Sequence, residues 1–317
     1  MGEALLQREL EAAHCWEADD RVPGRPQMTE FRRRLSYHQG RWREANGHPI
    51  GTQPIVPRKG TSTRLVGSRL PLPYARETGA NFLTPGALEA ARARAATPER
   101  HQRFDHQRLW ADLLWSPTLA FNLFGDLAAD RSLADRAVRA WLPDTPGSVC
   151  DVRFSHSPGR FDWSYLGSLR SFDAAIVLDL GDGTRGMVAF DVKYHEHAKS
   201  AIAKSIGRPR QRDVAANAGI FQLGAVEAVD RTDLLVTCLE HLLLLSMLQH
   251  ESGQWSWGRC VVIHPAGNSD IADVCARYGE LLTDRLTFSS ITIEQPLNSA
   301  AYPRGIAAAL RTRYIAS

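Results

Sequence analysis

The polarity pattern is sharpest between residues 171 and 196, SFDAAIVLDLGDGTRGMVAFDVKYHE, where two apolar runs flank a Gly-Asp-Gly turn. Apolar runs of this length bounded by turn residues predict strands, here 172–180 and 186–194, joined as a hairpin. Upstream, the pattern predicts helices near residues 2–16 and 28–45, then a Gly- and Pro-rich extended stretch over 47–81. Thr97-Pro98, Ser116-Pro117 and Ser132 read as helix starts, because each offers a capping hydroxyl and two carry proline at the first helical position. They predict helices over 98–115, 117–128 and 132–142, followed by a strand at 148–155 before the hairpin. Downstream come a helical region near 212–229, a strand at 258–264, a helix at 269–283, a strand at 288–294 and a terminal helix. The run 234–249, LLVTCLEHLLLLSMLQ, is apolar on most faces and predicts a buried helix. The core order of helix, three strands, helix, strand predicts an α/β fold, a mixed sheet flanked by helices.

The hairpin register can be argued from the same pattern, because side chains alternate faces along a strand and opposed residues share a face. With a pivot at Gly183, Ala174 faces Val192, Ile176 faces Phe190 and Leu178 faces Val188, giving one wholly apolar face. The other face then carries Asp173 opposite Lys193, with Asp191 alongside. A slip of one residue would set Asp173 among apolar side chains, which the hydrophobic term disfavours. The register therefore brings two carboxylates and one ammonium together.

Two carboxylates with free oxygens suit a hard divalent cation such as Mg²⁺, with Mn²⁺ as the alternative, and such a cation can activate water for hydrolysis. Lys193 beside it would position that water or neutralise charge developing on phosphate oxygens. Together these are the parts of a phosphodiesterase site. The plainer reading is a turn aspartate and a surface ion pair, since Asp-x-Lys is a common triplet. Composition favours the chemical reading: the chain has only four lysines, at 59, 193, 199 and 204, against thirty-four arginines. A lysine in so arginine-biased a chain suggests a task for a compact ammonium rather than a planar guanidinium.

At 317 residues and 44% apolar content the chain can bury a large core. No run of eighteen apolar residues is present and the N-terminal segment is acidic and amphipathic rather than a signal peptide, so a soluble, cytoplasmic protein is expected. Cys15, Cys150, Cys238, Cys260 and Cys275 show no Cys-x-x-Cys spacing, which argues for reduced thiols rather than a zinc site or disulfide framework. Net charge is only +3, but its distribution is uneven. Arg32, Arg33, Arg34, Arg41 and Arg43 fall on one helix, followed by Arg58, Lys59, Arg64 and Arg69; these read equally as a phosphate surface or a solvated face. The run 204–212, KSIGRPRQR, lies just after the candidate site, so Lys204, Arg208, Arg210 and Arg212 are the expected nucleic-acid contacts.

The order of elements, with Asp173 on the second core strand and Asp191-Val192-Lys193 on the third, resembles the PD-(D/E)XK nuclease superfamily. Within it, the chain is similar to a family of bacterial restriction endonuclease-like proteins. The segments that carry this are WREANGHPIG (42–51), GANFLT (79–84), AFNLFG (120–125), HSPGR (156–160), Phe172-Asp173, DVKYHE (191–196) and EHLL (240–243). The resemblance implies a restriction-endonuclease-like core over 106–317 with an N-terminal helical and loop extension over 1–105. It implies that Asp173 and Asp191 hold Mg²⁺, that Lys193 serves the attacking water, and that the substrate is nucleic acid. Glu196 matches a glutamate of the family pattern, whereas strict alternation places His195 on the face of Lys193; both stay as further catalytic candidates. The family pattern has Phe-Glu before HSPGR, whereas this chain has Phe154-Ser155. If that glutamate is a metal ligand, Ser155 weakens metal binding.

Three further constellations read as structural first. His195-Glu196-His197 lacks a third matched metal ligand, His156 is a turn residue before it is a general base, and Glu240-His241 on the buried helix is a satisfied core pair unless it orients the site. No GxxxxGK[ST] or GxSxG segment is present. The expected activity is metal-dependent cleavage of nucleic acid, as a DNA endonuclease in bacterial defence or DNA processing, with RNA as an open alternative substrate. The contrasting reading is a nucleic-acid-binding protein on a degenerate nuclease fold. A homodimer would suit an enzyme that cuts two strands.

Overall fold

The computed structural model describes residues 7–16, 24–54, 62–102, 104–198 and 209–316. In chain order these form α1 (Gln7–Ala12), α2 (Pro26–Ala45), β1 (Gly51–Pro54), β2 (Thr63–Val66), α3 (Leu72–Thr78), α4 (Pro85–Ala96), α5 (His106–Ala111), α6 (Ser116–Ala129) and α7 (Arg131–Trp141). The second half supplies β3 (Ser148–His156), β4 (Phe172–Asp179), β5 (Arg185–Val192), α8 (Pro209–Ala218), α9 (Ala225–Val229), α10 (Leu235–Leu248), β6 (Trp255–His264), α11 (Ser269–Glu280), β7 (Phe288–Thr292), α12 (Glu294–Asn298) and α13 (Arg304–Tyr314).

β3 to β7 form one sheet in sequence order, apart from the small β1–β2 pair. The β3–β4 and β4–β5 pairs are antiparallel, and β5–β6 and β6–β7 are parallel. The parallel pairs need helical crossovers, which α8 to α10 and then α11 provide. The expected mixed α/β sheet flanked by helices is therefore present.

The hairpin register differs from the expected one by two residues. Ala174 pairs with Phe190, Ile176 with Val188 and Leu178 with Gly186, so the pivot is Asp182 rather than Gly183. Asp182 Oδ1 accepts from Thr184 N at 2.8 Å and Thr184 Oγ1 at 2.6 Å, and Gly181 and Gly183 both take the left-handed backbone that this turn requires. A two-residue shift leaves every side chain on its face, which is why apolar alternation cannot distinguish the two registers. Continued one step, the observed register sets Asp173 across from Asp191 rather than Lys193.

Both faces of the sheet are covered. On one, Ala174, Ile176, Val188 and Phe190 pack under Phe121 and Phe124 of α6 and Val138 of α7, with the Phe124 and Phe190 rings 4.6 Å apart. On the other, Ala175, Val177, Met187 and Ala189 pack against Leu235, Leu239 and Leu242 of α10 and Val274 of α11. The acidic cluster thus sits at the end of a face that is otherwise apolar. α10 is buried almost throughout, as its all-round hydrophobicity predicts.

The helix expected over 98–115 is not formed. Thr97 ends α4 instead of starting a helix: its N–H bonds Ala93 O, and its hydroxyl donates to the same carbonyl at 2.8 Å. The Thr-Pro start lies earlier, at Thr84-Pro85, where Thr84 Oγ1 accepts from Ala87 N at 3.1 Å, and Asp105 caps the short α5. α7 is capped by Asp130 rather than Ser132, and Ser116 opens α6 without capping it. The five cysteines are free thiols, four of them buried.

Candidate active site

β4 opens with Phe172-Asp173 and β5 closes with Asp191-Val192, so the antiparallel pair brings both carboxylates to the same end of the sheet. Asp173 Oδ2 accepts a hydrogen bond from Val192 N at 2.8 Å. Lys193 N donates to Ile263 O at 2.8 Å, which ties its backbone to β6, and its Nζ reaches Asp191 Oδ1 at 2.6 Å. The other Asp191 oxygen, Oδ2, is buried with no hydrogen-bond partner among the described residues.

A third carboxylate, Glu240 of α10, belongs to the same electrostatic cluster. Its Oε1 accepts from the Arg170 guanidinium at 2.5 Å, its Oε2 is buried and unpartnered among the described residues, and its charge is felt at Asp173. Burial, then the field of Asp191, raises the Asp173 pKa to about 8 against the opposing pull of Lys193 and the Val192 N–H. Burial likewise raises Glu240, with Arg170 opposing and Asp191 adding. For Lys193, burial favours the neutral amine, but Asp191 and Asp173 outweigh it and hold the ammonium firmly protonated. With all three carboxylates ionised, negative charge would exceed that of Lys193 and Arg170, so Asp173 retains its proton unless a further cation joins the cluster.

That excess is the fit test for a divalent metal. An orphaned buried carboxylate oxygen on Asp191, next to a second carboxylate whose proton is held only by desolvation and repulsion, suits a hard oxygen-seeking cation. Among the described residues no group of three or more His, Cys, Asp or Glu side chains is placed to hold a metal ion together. The fit therefore rests on the two aspartates, with Glu240 as a nearby charge.

The lower-ranked candidates separate from this cluster. Glu196 Oε1 accepts from Ser116 Oγ at 2.5 Å, and Oε2 accepts from the backbone N–H of Tyr194 at 2.7 Å and of His195 at 3.1 Å. Burial opposes its charge, but His195, Lys193 and Ser116 hold its carboxyl below the usual range. Glu196 thus fastens the end of β5 to the start of α6. His195 lines a separate cleft with Arg69, Arg108 and Asp112. His241 is a satisfied core residue, bonded to Tyr278 Oη at 2.9 Å and Thr287 Oγ1 at 2.8 Å, and burial pushes its pKa down to about 3.

Ser155 follows Phe154 on β3, and Phe154 pairs with Ala174, so Ser155 stands beside Asp173 where an acid was expected. Its backbone is left-handed, with φ +46°, and its carbonyl accepts from Arg160 at 2.9 Å and Arg94 at 3.3 Å. Both guanidiniums also pair with Glu99, which accepts in addition from Ser157 N at 3.0 Å and bonds His156 Nδ1 at 2.9 Å. His156 therefore holds the HSPGR turn, as its turn reading expected. Glu99 had no signal in the sequence.

Of the expected nucleic-acid contacts, Lys204 and Arg208 lie outside the described residues. Arg210 donates to Tyr165 O at 2.8 Å and Ser164 O at 2.9 Å, bracing the β3–β4 loop, while Arg212 is exposed. In the earlier cluster, Arg43 is buried and bonds Gly67 O and His48 O, Arg33 stacks on Trp16, and Arg41 pairs with Glu44. Arg58 and Lys59 also lie outside the described residues.

The sheet order and the Asp-Asp-Lys cluster at its end define a restriction-endonuclease-like α/β fold. A family model of the PD-(D/E)XK nuclease superfamily matches residues 20–316, and the chain belongs to that superfamily. Neither a search of curated proteins nor one of solved structures gave a match. Among the described residues no helix is long and apolar enough to cross a membrane.

Proposed function

We propose that this protein is a metal-dependent nuclease that hydrolyses phosphodiester bonds, as a DNA endonuclease in bacterial defence or DNA processing. The observation that carries the reading is the buried Oδ2 of Asp191, unpartnered among the described residues, beside Asp173 and on the carboxylate that Lys193 Nζ reaches at 2.6 Å. Asp173 and Asp191 would hold Mg²⁺ or Mn²⁺, with Glu240 adding negative charge behind them. When bound, the cation supplies Lewis-acid stabilisation of the phosphate and makes water more acidic.

Asp191 and Asp173 favour the Lys193 ammonium over the neutral amine that burial would favour, which supports reading it as a charged donor. Its ammonium would orient the attacking water and neutralise charge on the phosphate oxygens. Glu196 and His195 would act on the site indirectly, Glu196 by fixing the backbone that carries Lys193. Arg212, with Lys204 and Arg208, would contact the phosphate backbone.

A second reading is a nucleic-acid-binding protein with weak or no cleavage. Ser155 favours it, because the position beside Asp173 carries a hydroxyl and not a third ligand. To separate the two, purified protein is incubated with supercoiled, linear and single-stranded DNA and with RNA, in Mg²⁺, Mn²⁺ or chelator. Cutting that needs the metal supports the nuclease and names its substrate; binding in chelator without cutting in any metal moves the conclusion to the binding protein.

A further inference from the structure

Asp173 also lines a cleft of about 720 Å³ that neither the metal site nor the basic residues explain. Its walls carry four rings, His101, Phe104, Trp115 and Phe161, together with Leu169. Phe161 is 49% and Leu169 53% exposed, so apolar surface is held in water next to a charged site. His101, Ser155 and Phe161, all lining this cleft, have left-handed backbones with φ of +63°, +46° and +59°. Only two other non-glycine residues among those described share that conformation. Such strain persists where the surroundings enforce it, and it concentrates at functional sites. Here the enforcement is visible: the Glu99 cluster with Arg94, His156 and Arg160 fixes the turn that carries Ser155.

We propose that this cleft takes an unpaired nucleobase, so that the substrate is single-stranded nucleic acid or a duplex with a base out of the stack. The inference deepens the nuclease reading and rests on it. A phosphodiester placed at Asp173 and Asp191 carries a base within one nucleotide, and Asp173 is itself one of the residues that line the cleft. Its volume is in the range of clefts that take a small ligand or a single base. Aromatic walls stack on a base of any identity, and Ser155 and Ser171, which also line the cleft, supply hydrogen-bonding hydroxyls. A paired base cannot enter without leaving its helix.

The test uses the cleavage-blocked Lys193→Ala protein, which keeps both metal-holding aspartates, in Mg²⁺, with short labelled single-stranded DNA, single-stranded RNA, a blunt duplex and a duplex bearing a one-base bulge. Fluorescence anisotropy gives affinity, and 2-aminopurine in the single strand or bulge reports stacking. The expected result is single-strand or bulge binding about tenfold tighter than blunt duplex, with the 2-aminopurine quenched. Phe161→Ala and Leu169→Ala, both at exposed positions, should each lose about fivefold or more on the single strand and leave the duplex unchanged. Equal affinity for single strand and blunt duplex, or no effect of either variant, overturns this inference while leaving the nuclease reading in place. Failure to bind any of the four overturns both.

Discussion

At the scale of single residues, the site is defined by a charge imbalance. Asp173 has its pKa raised from an ordinary carboxylate value to about 8, and the sign of the consequence is fixed. Below about pH 4 the group is protonated in folded and unfolded chains alike, and no penalty applies. As pH rises towards 8 the unfolded chain releases the proton while the folded chain keeps it, so the metal-free fold loses stability, on the order of a few kcal/mol. Asp173→Asn, neutral at every pH, should therefore raise the melting temperature of the chelator-treated protein at pH 8 and leave it unchanged near pH 4. Thermal denaturation across that range checks this; an Asn variant melting lower at pH 8 would show that the aspartate is not a desolvated, repelled group. The grouping of Asp173 and Asp191 beside Lys193 was legible in the sequence because the observed register differs from the expected one by two residues, a shift that leaves every side chain on its face. Glu240 reads in the sequence first as half of a satisfied core pair, with orienting the site as the alternative. Its Oε2 is instead unpartnered among the described residues and its charge acts at Asp173, which a helix apolar on every side does not reveal, because it does not show which polar residue faces the sheet end. Glu99 was invisible because its partners are brought to it by tertiary structure alone.

At the scale of elements, several of the segments that resemble the nuclease family turn out to be fastenings. Asn122 of AFNLFG donates to Asn81 O and accepts from Leu83 N at 2.7 Å, binding that segment to GANFLT. Gly125, which closes the same segment, lets α6 lie directly on α4: a Cβ there would fall 2.3 Å from Ala87 Cα. Gly125→Ala should cost about 1–3 kcal/mol or more, because the obstacle is backbone and not a movable side chain. Urea denaturation measures it; a loss below half a kcal/mol would mean that the helices separate freely. Most strands and the helices flanking them were legible from periodicity, since they are long and bury one or both faces. The misreading at 98–115 arose because Thr-Pro marks a helix start only if the preceding chain is not already helical. At residue 97 the hydroxyl closes α4 instead.

At the scale of the whole molecule, α2 and α13 close together beside the site. One hydrophobic cluster runs from Met28 of α2 through the sheet to Tyr314 of α13. Tyr194, next to Lys193, accepts from Gln39 of α2 at 3.0 Å, and Gln39 also donates to Arg313 O at 2.7 Å. The Arg313 guanidinium is fully buried, lies 4.4 Å from the Trp42 ring centre and donates to Asn81 O at 2.7 Å. Arg313→Ala should destabilise the protein by about 3 kcal/mol or more, by emptying a large buried volume and stranding Asn81. A small change in denaturation midpoint would contradict that closure. Arg212, in contrast, is exposed, and its proposed role is electrostatic. Arg212→Ala should weaken nucleic-acid binding uniformly across sequences and reduce the salt slope by about one. An unchanged slope would remove Arg212 from the contact surface. This distinction between arginines was not legible, because packing and phosphate-facing arginines have the same composition and spacing.

The central claim is that Asp191 and Lys193 form the hydrolytic site of a metal-dependent nuclease. It is tested most directly by comparing phosphodiester cleavage by the wild-type protein with that by Asp191→Ala and Lys193→Ala, in Mg²⁺ and in chelator, with circular dichroism confirming that all three fold. The expected result is cleavage by the wild type only when metal is present, and loss of at least about a hundredfold in each variant. Cleavage that survives chelation, or that either substitution leaves intact, would contradict the assignment.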